Sequence, residues 1–253
     1  AAIYRLNFLV NKIVSIPTLP ASVISTNGFV NTDGHISLSA SNTRNVRVAK
    51  TSSGEAGVAY VDFSIGTTTT GVLKYAYRDG RLISSSWRVN TIPGVTAPSS
   101  PYLAYDHLDR PWISYFDATN FRFYLLTNSS TDGTGTWSSY VFPLTPTGIY
   151  VLPATNDTSI AMVQSGSVKI PVMTVLDNTN TGGRSVRSAR FDMTTASWSS
   201  PVSIYVPGAT GTSGLTTFAD ELGNMSVAFL DRTTGANNFL KYSQSEDGGV
   251  TFS

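Results

Sequence analysis

The chain has 253 residues, enough for one large all-β domain or two smaller ones. Its formal charge is +1, from 17 Lys and Arg against 16 Asp and Glu, so no basic excess draws a polyanion and nucleic acid is not an expected partner. Cysteine is absent and His35 and His107 are the two histidines, which removes disulfides, thiolate chemistry and His-rich metal sites; no metal and no cofactor is expected.

Surfaces of helical proteins carry Glu, Lys and Ala, whereas this chain has 3 Glu and 5 Lys and an abundance of Val, Ile, Thr, Tyr and Phe. An all-β fold is expected. No run of about 18 apolar residues exists, so membrane insertion is not expected. The N-terminus shows no charged segment followed by a long apolar run, so a signal peptide is either absent or already removed. A surface rich in Ser, Thr, Asn and Gly suits an exported protein, extracellular or at a cell surface.

In chain order, Tyr4-Arg5-Leu6-Asn7 comes first and parallels Trp87-Arg88-Val89-Asn90. Strand-like runs follow over 12–16, 22–25 and 35–39. From about residue 45 a repeat takes over. Its first landmark is an apolar strand ending in aspartate: Asp62, Asp117, Asp177 and Asp231, at intervals of 55, 60 and 54. Its second is an aspartate in a short polar stretch, Asp79, Asp132, Asp192 and Asp247, followed within five to eight residues by Trp87, Trp137, Trp198 and Phe252. In the second unit the strands read 102–106, 111–117, 121–128 and 137–142, with turn residues between them. Val72-Leu73-Lys74-Tyr75 and Phe121-Arg122-Phe123 alternate as strands with one buried face do.

Four strands per unit at about 50–60 residues is the arithmetic of propeller blades. The expected fold is a β-propeller of four-stranded antiparallel blades in a single domain over 1–253, with repeats at approximately 45–94, 95–145, 146–206 and 207–253. Residues 1–44 are read as a closing strand and a degenerate blade, giving five blades; an excerpt of a longer propeller is the other reading. A two-sheet sandwich fits less well, because sandwiches rarely show four equivalent landmarks. The tryptophans are expected to plug the space between neighbouring blades.

The stretch Ser245-Glu246-Asp247-Gly248-Gly249-Val250-Thr251-Phe252 matches Ser-x-Asp-x-Gly-x-Thr-aromatic, and Ser130 to Trp137 matches it with the glycine one place late. The chain resembles Asp-box β-propellers of the sialidase-like kind over about residues 45–253. That resemblance implies a structural role for Asp79, Asp132, Asp192 and Asp247 with Trp87, Trp137, Trp198 and Phe252, in turns between third and fourth strands. It is almost silent about function.

Sialidase chemistry needs an arginine cluster and a Glu-activated Tyr. Glu55 and Glu221 fall in first-to-second turns and Glu246 in the repeated turn, all on the face opposite the one propellers use for sites. No catalytic residue is therefore assigned. The leading expectation is a non-catalytic ligand-binding propeller for glycan recognition or adhesion, with a glycan or a surface protein as partner. The alternatives are a protein-interaction scaffold and a sialidase-like glycoside hydrolase. Candidate ligand contacts are Asp62, Asp117, Asp177 and Asp231 at the second-strand ends, with Tyr115, Phe63, Tyr150 and Arg232 in or beside the variable turns.

Overall fold

The computed structural model describes residues 43–63, 71–78, 87–143, 157–177, 185–206, 212–234 and 237–253. They form four antiparallel sheets. The first is β1 (Thr43–Lys50), β2 (Ala56–Asp62), β3 (Val72–Arg78) and β4 (Arg88–Thr91). The second is β5 (Pro98–Tyr105), β6 (Pro111–Asp117), β7 (Arg122–Asn128) and β8 (Trp137–Val141). The third is β9 (Thr158–Ser165), β10 (Val168–Asp177) and β11 (Ser185–Asp192), with its fourth position split into β12 (Ser197–Trp198) and β13 (Val202–Tyr205). The last is β14 (Thr212–Ala219), β15 (Met225–Thr234) and β16 (Asn237–Ser245). Strands pair in sequence order within each sheet, and β1, β5, β9 and β14 lie side by side as the inner strands. This is the β-propeller the repeat predicts, and the sheets are its blades. Of the segment 1–44 expected to supply a closing strand and a fifth blade, residues up to 42 lie outside the described residues, and Thr43 and Arg44 belong to β1 of the first blade.

The strand limits of the second unit come close to expectation, with two corrections. The inner strand begins earlier, at Pro98. Phe121 belongs to the turn before β7, with φ of 53° and its side chain exposed. The alternation read in 72–75 also misleads: β3 is buried on both faces, Lys74 included. A blade is covered on each side by a neighbour, so its middle strands lose the one-sided pattern and β2 and β6 read as nearly unbroken apolar runs.

Three apolar clusters fill the spaces between blades. Leu73, Tyr75, Leu103 and Ile113 lie between the first and second blades. Phe116, Phe123, Ile160 and Phe191 lie between the second and third, and Val163, Val172, Val227 and Phe229 between the third and fourth. The repeating aromatics sit where a plug is needed. Trp137 meets Tyr75 of the preceding blade edge-on at 5.9 Å between centroids, and Trp198 packs against Phe142 at 5.1 Å and Phe191 at 5.0 Å. Phe252 packs on the third cluster and Trp87 on the far face of the first blade.

The turns ahead of these aromatics are built on carboxylates. Asp247 Oδ1 accepts from the Ser245 hydroxyl at 2.7 Å and from the amides of Val250 and Thr251 at 3.0 and 2.8 Å, while Oδ2 accepts from the Thr251 hydroxyl at 2.6 Å. Asp132 accepts from Ser130 and Thr134 in the same way and also pairs with Arg88 of the first blade at 2.6 Å. Asp192 takes the amides of Thr194 and Thr195. Asp79 lies outside the described residues. The Thr251 hydroxyl and amide, then Ser245, hold the Asp247 carboxyl well below the usual carboxylate range, and the Thr194 amide lowers the Asp192 carboxyl.

The folded chain thus binds protons at these groups less readily than the unfolded chain. Their stabilisation is present above the unfolded value, about 4, and is lost as pH falls through the folded values. Thermal unfolding followed from about pH 5 to about pH 2 is expected to show a falling Tm, and Asp247→Asn is expected to flatten that fall.

Candidate functional site

Antiparallel register decides which groups share a face. Thr43 pairs with Asp62, Pro98 with Asp117 and Thr212 with Asp231, so inner-strand starts and second-strand ends lie together. The turns holding Glu55, Glu221 and Glu246 lie on the other face, as expected.

The structure gives the four strand-end aspartates a common and largely internal role. All are buried. Asp62 pairs with Lys74 at 2.7 Å, Asp177 with Arg187 at 3.0 Å and Asp231 with Lys241 at 2.9 Å. Each cation stands on the third strand, opposite the residue two before the aspartate: Lys74 faces Tyr60, Arg187 faces Val175 and Lys241 faces Phe229. The second blade has Tyr124 at that position, opposite Tyr115. There Asp117 accepts instead from the Thr96 hydroxyl at 2.6 Å, the Asn120 side chain at 2.9 Å and the amides of Thr119 and Asn120. Asp231 also receives the Tyr205 hydroxyl at 2.6 Å, over which Lys241 sits 4.2 Å from the ring centroid. Tyr115 is buried and stacks on Tyr124 with centroids 5.2 Å apart. Phe63 is half-buried against the first apolar cluster. Tyr150 lies outside the described residues, and Arg232 is described as part of the β15 backbone.

A carboxylate from neither repeating set occupies the channel mouth. Asp157 immediately precedes the inner strand β9. Its Oδ1 accepts from the Ser100 hydroxyl of the second blade at 3.1 Å and its Oδ2 from the Gly214 amide of the fourth at 3.0 Å. Its carbonyl accepts from the Leu176 amide at 3.0 Å, and Thr158 donates to the Ser100 carbonyl at 2.8 Å. Three blades therefore meet at one half-buried carboxylate, which forms no ion pair among the described residues.

The inner strands bulge at this mouth. Register jumps between Arg44 and Arg47 in β1, Ser99 and Tyr102 in β5, and Ser213 and Leu215 in β14. Ala97 and Ser100 take left-handed φ values of 37° and 48°. A non-glycine residue held there costs about 1–3 kcal/mol, and such strain clusters at functional sites. Beneath the mouth, the Tyr102 hydroxyl meets Thr216 Oγ1 at 3.3 Å. These residues belong to blades that are not neighbours, so the contact crosses the axis and narrows the channel. Arg47 stands over the Tyr102 ring at 5.5 Å.

Asp157 has no counterpart at the equivalent positions of the repeat, so the repeat does not single it out. Two signals pointed to the mouth: Pro101 within a strand-like run and Gly214 within another, both marks of a bulge.

Neither a known family model nor a curated protein matches the chain. Solved structures do. A protein of unknown function from Dyadobacter fermentans superposes with a TM-score of 0.60 at 14% identity, covering 89% of this chain and 69% of that one. The α-L-arabinofuranosidase from Podospora anserina, solved with cellotriose, gives 0.54 at 10% identity, covering 93% and 69%. The exo-β-1,3-galactanase from Phanerochaete chrysosporium, solved with galactose, gives 0.52 at 14%, covering 91% and 52%. Likeness at this identity shows the propeller fold. The leading functional expectation of a non-catalytic recognition propeller is corrected by the same comparison: most of the similar solved structures are arabinofuranosidases and galactanases.

Proposed function

We propose that the chain is a glycoside hydrolase whose site is the bulged mouth of the propeller channel, with Asp157 as one of its acids. The observation that carries this reading is the half-buried Asp157, held by two neutral donors and by no cation among the described residues, above a floor of Tyr102, Thr216 and Arg47. A carboxylate so held keeps lone pairs for a substrate hydroxyl or a water. Glycosidic cleavage uses two carboxyl groups across the bond, one giving and one taking a proton or attacking carbon. The arabinofuranosidase and galactanase neighbours support pentofuranosides and galactosides as the substrate class. We further infer that the Ser130–Trp137 and Ser245–Phe252 turns are of the Asp-box type, on the carboxylate bonding that closes each of them.

The test is release of sugar from a panel of aryl arabinofuranosides and galactosides, arabinan and β-1,3-galactan. Asp157→Asn is expected to lower kcat by about 10²–10⁴-fold, with partial rescue by azide or formate, which a purely structural carboxylate would not show. An inactive wild type across the panel overturns the reading; an undiminished Asp157→Asn rate overturns the site.

A further inference from the structure

On the opposite face, a cleft of about 620 Å³ opens between the third blade and the last turn of the fourth. It exists because the fourth strand of the third blade is broken. β12 pairs with β11 at Phe191 and Asp192, β13 rejoins it at Ser188, and residues 199–201 leave the ladder between them. Ser199 stays attached through its amide to the Arg190 carbonyl at 2.9 Å, and its hydroxyl takes the Arg190 amide at 3.0 Å. The walls are Ile170 and Val250, with Arg190, Asp192 and Ser199 supplying polar groups.

The chemistry of this lining is specific. Arg190 and Asp192 are two apart on one strand and so share a face. They form no ion pair with each other, and the Arg190 guanidinium has no acid partner among the described residues. Asp192 Oδ1 is taken by turn amides, which leaves acceptor capacity on the carboxylate. A ligand filling this space must accept from a cation and donate to an anion a short distance away. A carboxylate-bearing ligand meets repulsion at Asp192, and an amine meets it at Arg190. A neutral ring with adjacent hydroxyls does both tasks, since each hydroxyl donates and accepts.

We infer that this cleft is a second carbohydrate site, taking one neutral sugar residue of a glycan chain away from the channel mouth. It goes beyond the proposed hydrolysis and does not depend on it. The test is affinity electrophoresis of the full chain through gels containing arabinan, arabinoxylan or β-1,3-galactan. The Arg190→Ala/Asp192→Asn variant is compared with wild type and with Asp157→Asn, and Arg190→Gln serves as a milder second variant. Expected is retardation of wild type and of Asp157→Asn by at least one polysaccharide, an affinity about tenfold weaker in the double variant, and unchanged turnover of a small aryl glycoside. Retention of a wild type that hydrolyses nothing still supports the cleft while overturning the channel reading. No retention of wild type on any gel overturns the cleft. So does a double variant retained as well as wild type, or a loss confined to Asp157→Asn.

Discussion

Asp106→Ala is expected to cost about 3–5 kcal/mol, the range for stripping one partner from a buried charged network, and to lower Tm by roughly 6–20 °C for a chain of this size. Asp106 directly follows β5 and is 2% exposed. Oδ1 accepts from the amides of Leu108 and Arg110, both at 2.9 Å. Oδ2 accepts from Arg110 Nε at 2.8 Å and the Trp112 indole at 3.1 Å, and stands 2.7 Å from a second Arg110 nitrogen. One carboxylate therefore satisfies a turn, a cation and the indole N–H of a core residue that is itself 2% exposed. Alanine leaves the buried Trp112 indole N–H and the turn amides without their acceptor. The next residues widen the effect. Asp109, at φ 56°, accepts from the amide and hydroxyl of Ser52 at 2.7 and 2.6 Å, tying this turn to its counterpart on the first blade. Asp220→Ala in the corresponding turn of the fourth blade is expected to cost less, because its partners Leu222 and Asn224 are solvated backbone and a local side chain. Urea denaturation of both variants checks the ranking; equal losses would mean that burial at Asp106 is not the cause.

Asp106 also marks how much the sequence discloses. Repeating landmarks made the blades legible, because each blade needs the same strand ends, turns and plugging aromatic. Asp62, Asp177 and Asp231 were legible as equivalent positions, but their chemistry was not. Their cations are twelve, ten and ten residues away, and only the antiparallel register shows that Lys74, Arg187 and Lys241 fall beside them. The exception at Tyr124 is invisible without that register. Asp106 and Asp157 stand outside both repeating sets; Asp106 joins a turn to the core indole of Trp112, and Asp157 joins residues of two other blades. Functional asymmetry in a repeat protein arises where the repeat is broken, so a search for equivalence passes over it. The bulges at Ser100 and Gly214 and the split fourth strand at 199–201 are such breaks. The two proposed carbohydrate sites lie beside them.

A close junction between the first and second blades makes the second large prediction. Gly57 lies in β2 against Tyr105 and Tyr75. A Cβ there would overlap the Tyr105 hydroxyl and lie 2.9 Å from Tyr105 Cζ and 3.2 Å from Tyr75 Cε2. The tyrosines cannot simply move. Tyr75 donates to the Thr131 carbonyl at 2.6 Å, so the 2.7 Å contact between the two hydroxyls has Tyr105 as donor. Both rings are buried between the first and second blades, and burial first, then the neighbouring phenol, pushes the Tyr75 hydroxyl up from its usual value. Gly57→Ala is therefore expected to cost about 3 kcal/mol, the upper end for overpacking. The diagnostic result is a sign change. Tyr105→Phe alone loses one hydrogen bond, about 1 kcal/mol, while Tyr75 keeps its bond to Thr131. In the Gly57→Ala background the same change removes the overlapping atom, and it is expected to be neutral or stabilising. A double-mutant cycle with additive losses would show that the junction has room the geometry denies it; a coupled cycle shows that glycine at position 57 is what lets two blades close over a pair of phenols.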